Sequence, residues 1–336
     1  MKINKKNILR TESITIKYFH KHANKIFGLV SYTDEVGFNK CITQPNLHRP
    51  GLALAGFVKL FSYDRIQIFG NTEISYLNSI SEEERRKIFE NIFEFNIPCI
   101  VITNGVKPFP ELIEIALNKE VTILGSTLDT TKISYLIVDF LDDVFANKLS
   151  VHASFVDVYG VGMLFVGKSG IGKSEVALDL VERGHRLVAD DVVILTKKGE
   201  GILMGAGTSL GSHFMEIRGI GIIDVRSMFG VRAIRFQKRL EVIVELEVWD
   251  PNQIYTRTGL DESKIPIMNI DIPIIKLPIL PGKNITVVAE VIALNYLLKH
   301  YGYDSAKVLS ENIQKKMKHP EDFDITNVNY FEHDFE

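Results

Sequence analysis

The sequence predicts an α/β protein of two domains: a small N-terminal α/β domain, then a C-terminal domain built on a central β-sheet and a phosphate-binding loop. Three observations lead there. Strand-like and helix-like runs alternate through residues 1–140, the pattern of a layered α/β unit. A glycine-rich loop starting at Gly167 stands between an apolar strand and an amphipathic helix. The length, 336 residues, exceeds what one hydrophobic core usually organises.

In the first domain, Ser81-Glu82-Glu83-Glu84 has the form of a capping box. Ser81 can take a backbone N–H while Glu84 reaches back. Ile88, Ile92 and Phe93 then give the apolar face of a helix. Cys99-Ile100-Val101-Ile102-Thr103 reads as a short buried strand ending at the turn pair Asn104-Gly105. Pro110 opens another helix, and Val121-Thr122-Ile123-Leu124 makes another strand.

A linking helix is expected over Leu136–Leu149. The second domain, 141–318, continues with β-rich runs at Val151–Tyr159 and Val161–Val166, separated by a hairpin or bend at Gly160. No fixed-period repeat or low-complexity tract divides the halves. Residues 319–336 turn polar and acidic, as a loosely held tail does.

Hydrophobic residues make up 46% and charged residues 24%, and the formal net charge is −3. That balance suits a globular protein and supplies no general drive toward nucleic acid or an anionic membrane. The first nineteen residues hold no apolar run long enough for a signal peptide or a membrane span. Cys41 and Cys99 lack metal-like spacing and read as reduced thiols of a cytoplasmic protein.

Gly167-Lys168-Ser169-Gly170-Ile171-Gly172-Lys173-Ser174 fits the pattern G-x-x-x-x-G-K-[ST]. Glycines let successive N–H groups turn inward around phosphate oxygens, where side chains would obstruct them. Lys173 supplies a point charge for the β- and γ-phosphates, and the Ser174 hydroxyl can ligate Mg²⁺. The loop follows Met163-Leu164-Phe165-Val166. It precedes a helix with the face Val176, Ala177, Leu180 and Val181, ended by Gly184. Strand, loop and helix in that order add the helix dipole to phosphate binding.

Phosphoryl transfer also needs a carboxylate to hold the metal and a group to take the nucleophile's proton. Asp190 and Asp191 stand together inside the otherwise apolar run Leu187–Leu195. Adjacent strand residues face opposite ways, so one can face the phosphates while the other serves structure. Strand-end acids that simply meet solvent are the plainer reading. By residue type alone, His152 fits a satisfied structural histidine as well as a site. Glu216 and Arg218 fit turn chemistry as well as a site, and Arg257 fits a solvated loop residue.

The longer pattern resembles the HPr kinase/phosphorylase family. The resemblance rests on Gly167–Glu175, Arg183–Asp191 and Glu216-Ile217-Arg218-Gly219-Ile220-Gly221-Ile222-Ile223-Asp224-Val225. Val156–Gly160, Pro278–Asn284, Arg49–Leu52 and Tyr63–Gln67 extend it over residues 45–300. It implies a P-loop kinase domain that phosphorylates a serine of HPr, the carrier protein of the sugar phosphotransferase system. It also implies the reverse phosphorolysis by inorganic phosphate, which yields pyrophosphate.

On the same resemblance ATP is the donor, with pyrophosphate as a further possibility. Ser174 and Glu216 hold Mg²⁺, and Asp191 exchanges the serine proton, with His152 and Arg257 beside it. Met215–Asp224 would serve both directions, and Pro278, Ile279, Leu280, Pro281, Gly282 and Lys283 mainly dephosphorylation. A homohexamer that governs carbon metabolism is implied as well. The sequence departs from the family at Lys168, where the loop usually has aspartate, and at Leu280 and Lys283, where arginines are usual.

Two other readings use the same loop: a small-metabolite kinase, and a nucleotide-gated regulator with the first domain as its binding module. The regulator would want a basic helix or stripe in that first domain, and none is present. A GTPase would want an Asn-Lys-x-Asp base-reading motif, which is also missing.

Overall fold

The computed structural model describes residues 8–199, 201–208, 211, 213–250, 263–280, 282 and 284–318. They form two compact units: Leu9–Asn147, and the described residues from Lys148 onward together with Ile8. Arg257, Pro281, Lys283 and the tail 319–336 lie outside the described residues.

In the first unit a five-stranded sheet runs in the order Val30–Ser31, Thr122–Gly125, Cys99–Ile102, Ile66–Phe69, Leu47–His48. Its pairs are parallel except the first. The three central strands are buried throughout, as they must be when helices cover both faces. Helices Glu82–Ile92 and Pro110–Asn118 fill one core, and Ile16–Phe27 and Thr130–Phe145 the other. The capping box at Ser81 forms in both directions, and Pro110 occupies the first turn of its helix. The helix expected over Leu136–Leu149 runs Thr130–Phe145 instead, and its Ile133, Ile137 and Leu141 belong to the first unit's core. Cys99 is buried and Cys41 exposed, and both are free thiols.

The second unit holds two large sheets and a separate two-stranded hairpin, Phe214–Ile217 with Gly221–Asp224. The larger runs Arg186–Ala189, Ser154–Val158, Val161–Gly167, Val242–Val248, Ile270–Ile279, Lys264–Ile267. Val161–Gly167, the strand that delivers the phosphate loop, lies parallel to Val242–Val248, which lies parallel to Ile270–Ile279. In the smaller sheet Lys148–His152 pairs with Val192–Lys198, then come Ile202–Gly207 and Gln237–Arg239, all antiparallel.

Alternation along the large sheet separates two cores. Val156, Met163, Phe165, Val242 and Val244 face helices Lys173–Glu182 and Ile285–His300. Phe155, Leu164, Val166 and Ile243 pack with Val151, Val193 and Leu203 of the smaller sheet. The bend expected at Gly160 is a two-residue hairpin turn, with Tyr159 at φ +51° and Gly160 at φ +86°, the signs a right-twisted hairpin requires.

Gly162 allows the phosphate-loop strand to approach the chain at Arg239. A Cβ there would sit 1.9 Å from the Arg239 carbonyl oxygen, and the Gly162 N–H donates to Glu241 Oε2 at 2.6 Å. Backbone cannot swing aside as a side-chain tip can. Gly162→Ala should therefore cost about 3 kcal/mol and lower the second unit's calorimetric transition by roughly 6–12 °C. A shift below about 2 °C would mean that the two segments separate freely enough to admit a methyl group.

Candidate active site

The phosphate loop leaves its strand at Gly167, whose neighbour Leu246 lies in register on the parallel strand. A Cβ on Gly167 would meet the Leu246 carbonyl oxygen at 2.7 Å, so only glycine fits this departure. Gly170 and Gly172 also hold positive φ, at +78° and +101°. Helix Lys173–Glu182 starts immediately after Gly172. Lys173 is buried to 6% exposure, and its Nζ turns back across the loop to the Lys168 carbonyl at 3.4 Å. Lys168, Ser169 and Gly170 are exposed, and Ile171 is half-buried.

The run Leu187–Leu195 is not one strand. It breaks at Asp190–Asp191, where the chain leaves the large sheet after Ala189 and enters the small one at Val192. Its partner does the same at Ala153, between Lys148–His152 and Ser154–Val158. Two chain segments therefore turn one corner side by side. The Ala153 N–H donates to the Asp191 carbonyl at 3.2 Å, and the Val192 N–H donates to the Asp190 carbonyl at 2.8 Å. That second bond spans a single residue. With Asp191 at φ +64°, it makes a γ-turn of the rarer, strained hand.

The corner separates the two acids. Asp191 faces solvent at 63% side-chain exposure, 2.8 Å from His152 Nδ1. The same histidine nitrogen lies 2.9 Å from the Asp191 carbonyl. Asp190 is buried, at 8% exposure. Its Oδ1 accepts from Ser154 Oγ, and its Oδ2 has no hydrogen-bond partner. Burial pushes Asp190 above the ordinary carboxylate range; the hydroxyls of Ser154 and Ser174 oppose that shift, and the charge of Asp191 adds to it.

An orphaned carboxylate oxygen near a loop serine suits a hard cation that takes oxygen ligands. Among the described residues no three His, Cys, Asp or Glu side chains cluster as a complete metal cage. Mg²⁺ at a nucleotide site does not need one, because one or two carboxylates and the phosphates suffice. Asp190 and Ser174 fit it.

Glu216 lies on strand Phe214–Ile217, which pairs with Gly221–Asp224. Met215 and Ile217 bury themselves in the core that holds Val176, Ala177 and Leu180 of the loop helix. Glu216 alternates with them and is exposed. Arg218, Gly219 and Ile220 form the hairpin turn and Ile222 projects to solvent, while Ile223 packs on the core. Asp224 caps the short helix Val225–Phe229 through Ser227. Pro278 and Ile279 end the strand paired with Val242–Val248, next to Glu247 and Val248. Leu280 is half-buried and Gly282 turns at φ +80°.

Sequence reasoning missed Ser154, whose partner is 36 residues away. It also missed the tie between the loop helix and helix Ile285–His300. There Arg183 forks onto Glu290 at 2.9 and 2.6 Å, His185 Nε2 lies 3.0 Å from the same carboxylate, and Thr286 donates to Asp179. The Arg183 fork holds Glu290 below the ordinary carboxylate range, against burial, with His185 adding to it. Arg183 and Gly184-His185 stood within the family-like stretch, but nothing local pointed to residue 290.

Two family models match the chain: the HPr Serine kinase N terminus over residues 14–141 and the HPr Serine kinase C-terminal domain over residues 143–313. The HPr kinase/phosphorylase of Chloroherpeton thalassium is 51% identical over 341 aligned positions, covering 99% of each chain. That of Prosthecochloris aestuarii is 49% identical, covering 91% of each. A solved Hpr(Ser) kinase/phosphatase from Coxiella burnetii shares 35% identity over 48% of this chain and 97% of its own, with a TM-score of 0.43.

The raised Asp190 gives a test with a defined sign. A folded-state pKa above the ordinary value means that the native protein binds this proton more tightly than the unfolded chain does. Stability from this group is therefore full below about pH 3.8 and is lost as pH rises through the raised value. At pH 7 without divalent cation, Asp190→Asn should melt about 2–4 °C higher than wild type, which corresponds to about 1 kcal/mol. The gain should fade toward pH 4, and Mg²⁺ with nucleotide should stabilise wild type more than the variant. Equal melting temperatures at pH 7 would contradict this account of the buried carboxylate.

Proposed function

The chain belongs to the HPr kinase/phosphorylase family, and from that premise we propose that it transfers the γ-phosphoryl group of ATP to a serine of HPr and reverses the transfer by phosphorolysis. The observation that carries the mechanism is the division of labour at one corner. Asp190 is buried toward Ser174, and Asp191 is exposed beside His152.

The backbone N–H groups of Gly167–Ser174 receive the nucleotide phosphates, and Lys173 supplies a positive charge from the helix side. Ser174 and Asp190, with Glu216 on the facing hairpin, would hold Mg²⁺, which neutralises charge on the β- and γ-oxygens when bound. Asp191 takes the serine proton as the serine oxygen bonds to the γ-phosphorus and the bond to the β,γ-bridging oxygen breaks. In phosphorolysis an oxygen of inorganic phosphate attacks the phosphoserine phosphorus, and the serine oxygen leaves with the proton that Asp191 returns. His152, 2.8 Å from Asp191, orients that carboxylate.

By the same resemblance Arg257 and the 278–283 loop join the site, the protein assembles as a homohexamer, and it works in the cytoplasm on sugar-transport control. Among the described residues no helix is long and apolar enough to cross a membrane.

The deciding experiment is labelled ATP with purified HPr. Phosphoserine should form with Mg²⁺ present, and inorganic phosphate should reverse it with release of pyrophosphate. Label passing only to a small metabolite, or nucleotide binding without transfer, would replace this reading. Lys173→Ala should abolish both directions. Asp191→Asn should slow both by about 10²–10⁴-fold, and the wild-type reverse reaction should peak at lower pH than the forward one. Superimposable pH profiles, with full activity in Asp191→Asn, would remove Asp191 from the proton path.

A further inference from the structure

Two family-like stretches of the first unit, residues 49–52 and 63–67, take no part in the chemistry above. The structure sets them side by side at the edge of the five-stranded sheet. His48, which precedes Arg49, lies in parallel register with Gln67, so the two side chains share a face. Gln67 is wholly buried. Its Nε2 donates to the Ser62 and Arg65 carbonyls at 2.9 and 2.7 Å, which settles the amide's orientation and leaves Oε1 as an acceptor. Gln67 Oε1, His48 Nε2 and Arg65 Nε are all buried atoms without a hydrogen-bond partner.

A buried polar atom without a partner gives up its hydration for nothing in return. Three of them on neighbouring residues define what would satisfy them. Arg49 and Arg85 of the same unit have carboxylates to grip, Glu73 and Glu111. Among the described residues no carboxylate pairs with Arg65, and Asp64 beside it accepts from Gln44. Arg65 therefore calls for an anion. Gln67 Oε1 calls for a donor, which a fully ionised anion lacks. Burial, with the Arg65 charge adding to it and Asp64 opposing, holds His48 below the ordinary imidazole range. A neutral ring nitrogen donates or accepts according to its tautomer, so His48 suits either need. Phe61 closes the apolar side, with its ring centroid 5.6 Å from that of His48 and 5.3 Å from that of Phe95. His48 and Arg65 are half-buried, and Tyr63 and Asp64 are exposed, so the three atoms lie just beneath the surface.

We propose that His48, Arg65 and Gln67 form a binding site for hydrogen phosphate, free or as the end group of a monoester, that belongs to the first unit alone. It does not depend on the reaction proposed above. One phosphate oxygen accepts from Arg65 Nε, and the phosphate's own hydroxyl donates to Gln67 Oε1. His48 Nε2 meets a third oxygen. Sulfate has the same tetrahedral shape but carries no proton at neutral pH, so it would leave Gln67 Oε1 unpaired. The site therefore selects phosphate by the proton that phosphate keeps.

Titration calorimetry on the full chain tests this, with AMP-PNP and Mg²⁺ at saturation so that the phosphate loop is already filled. Inorganic phosphate should bind, and sulfate should bind about 10–100-fold more weakly. Methyl phosphate separates the two sources: affinity equal to that of phosphate assigns a monoester end group, and weaker binding assigns the free ion. Arg65→Gln should weaken phosphate and sulfate alike, by at least about tenfold. Its melting temperature should stay within about 2 °C of wild type, because no ion pair is lost. Gln67→Met should bring the two ions to within about threefold of each other, since neither then leaves an acceptor unpaired. That variant also gives up two hydrogen bonds; if it fails to fold, Arg65→Gln and the wild-type preference for phosphate still decide. No phosphate binding at millimolar concentration, equal affinity for sulfate in wild type, or undiminished binding by Arg65→Gln would overturn the proposal.

Discussion

The site depends on one corner, where two chain segments cross from the large sheet to the small one beside each other. A lone bend there would leave its backbone groups to find other partners. Paired, the bends satisfy each other through Ala153 and Asp191, so a polar turn can sit between two apolar cores. The positive φ at Asp191 is a local strain that neither segment would keep alone. The pairing over-determines it. One consequence is that two consecutive carboxylates meet opposite environments, one dry and one wet.

The rest of the site is fixed relative to this corner by the parallel strands. Gly167, Val248 and Ile279 end three neighbouring strands at their carboxyl edge, where loops in such sheets gather to bind ligands. The helices that spring from the first and third of these loops are then locked together. Asp179 meets Thr286, and one turn further on Arg183 and His185 meet Glu290. Both partner pairs are four residues apart on their helices, the spacing that puts them on one face. The loop between Ile279 and Ile285 is thus anchored at its strand end by sheet pairing and at its helix end by these rungs.

Charge follows the same plan. Lys173 and Arg218 approach the phosphate loop from two different elements, while the carboxylates stand at the corner. Positive groups therefore gather at the loop, and the acids at the corner. Lys168, an unusual residue for its place in the loop, is exposed; its backbone carbonyl is what Lys173 engages. The substitution therefore leaves that internal contact in place.

Much of this was legible in the sequence because the signals are local. The capping box at Ser81 and the proline at 110 act within one helical turn. So does the Gly167–Ser174 pattern, since backbone conformation at a glycine is settled by its nearest neighbours. The family resemblance also pointed to His152 and Asp191, which the corner holds 2.8 Å apart. Local pattern misread the run Leu187–Leu195, because apolar residues on both sides of the two acids look the same in one strand as in two strands of different sheets. Which acid would be buried was set by Ser154, 36 residues away. That a guanidinium from another element lies over Gly170 was set by the packing of the 214–224 hairpin. Sequence spacing records which side chains share a face of one element. Only the packing of separate elements decides which groups are taken out of water, and so which carboxylate is raised, which stays exposed and which cation meets the loop.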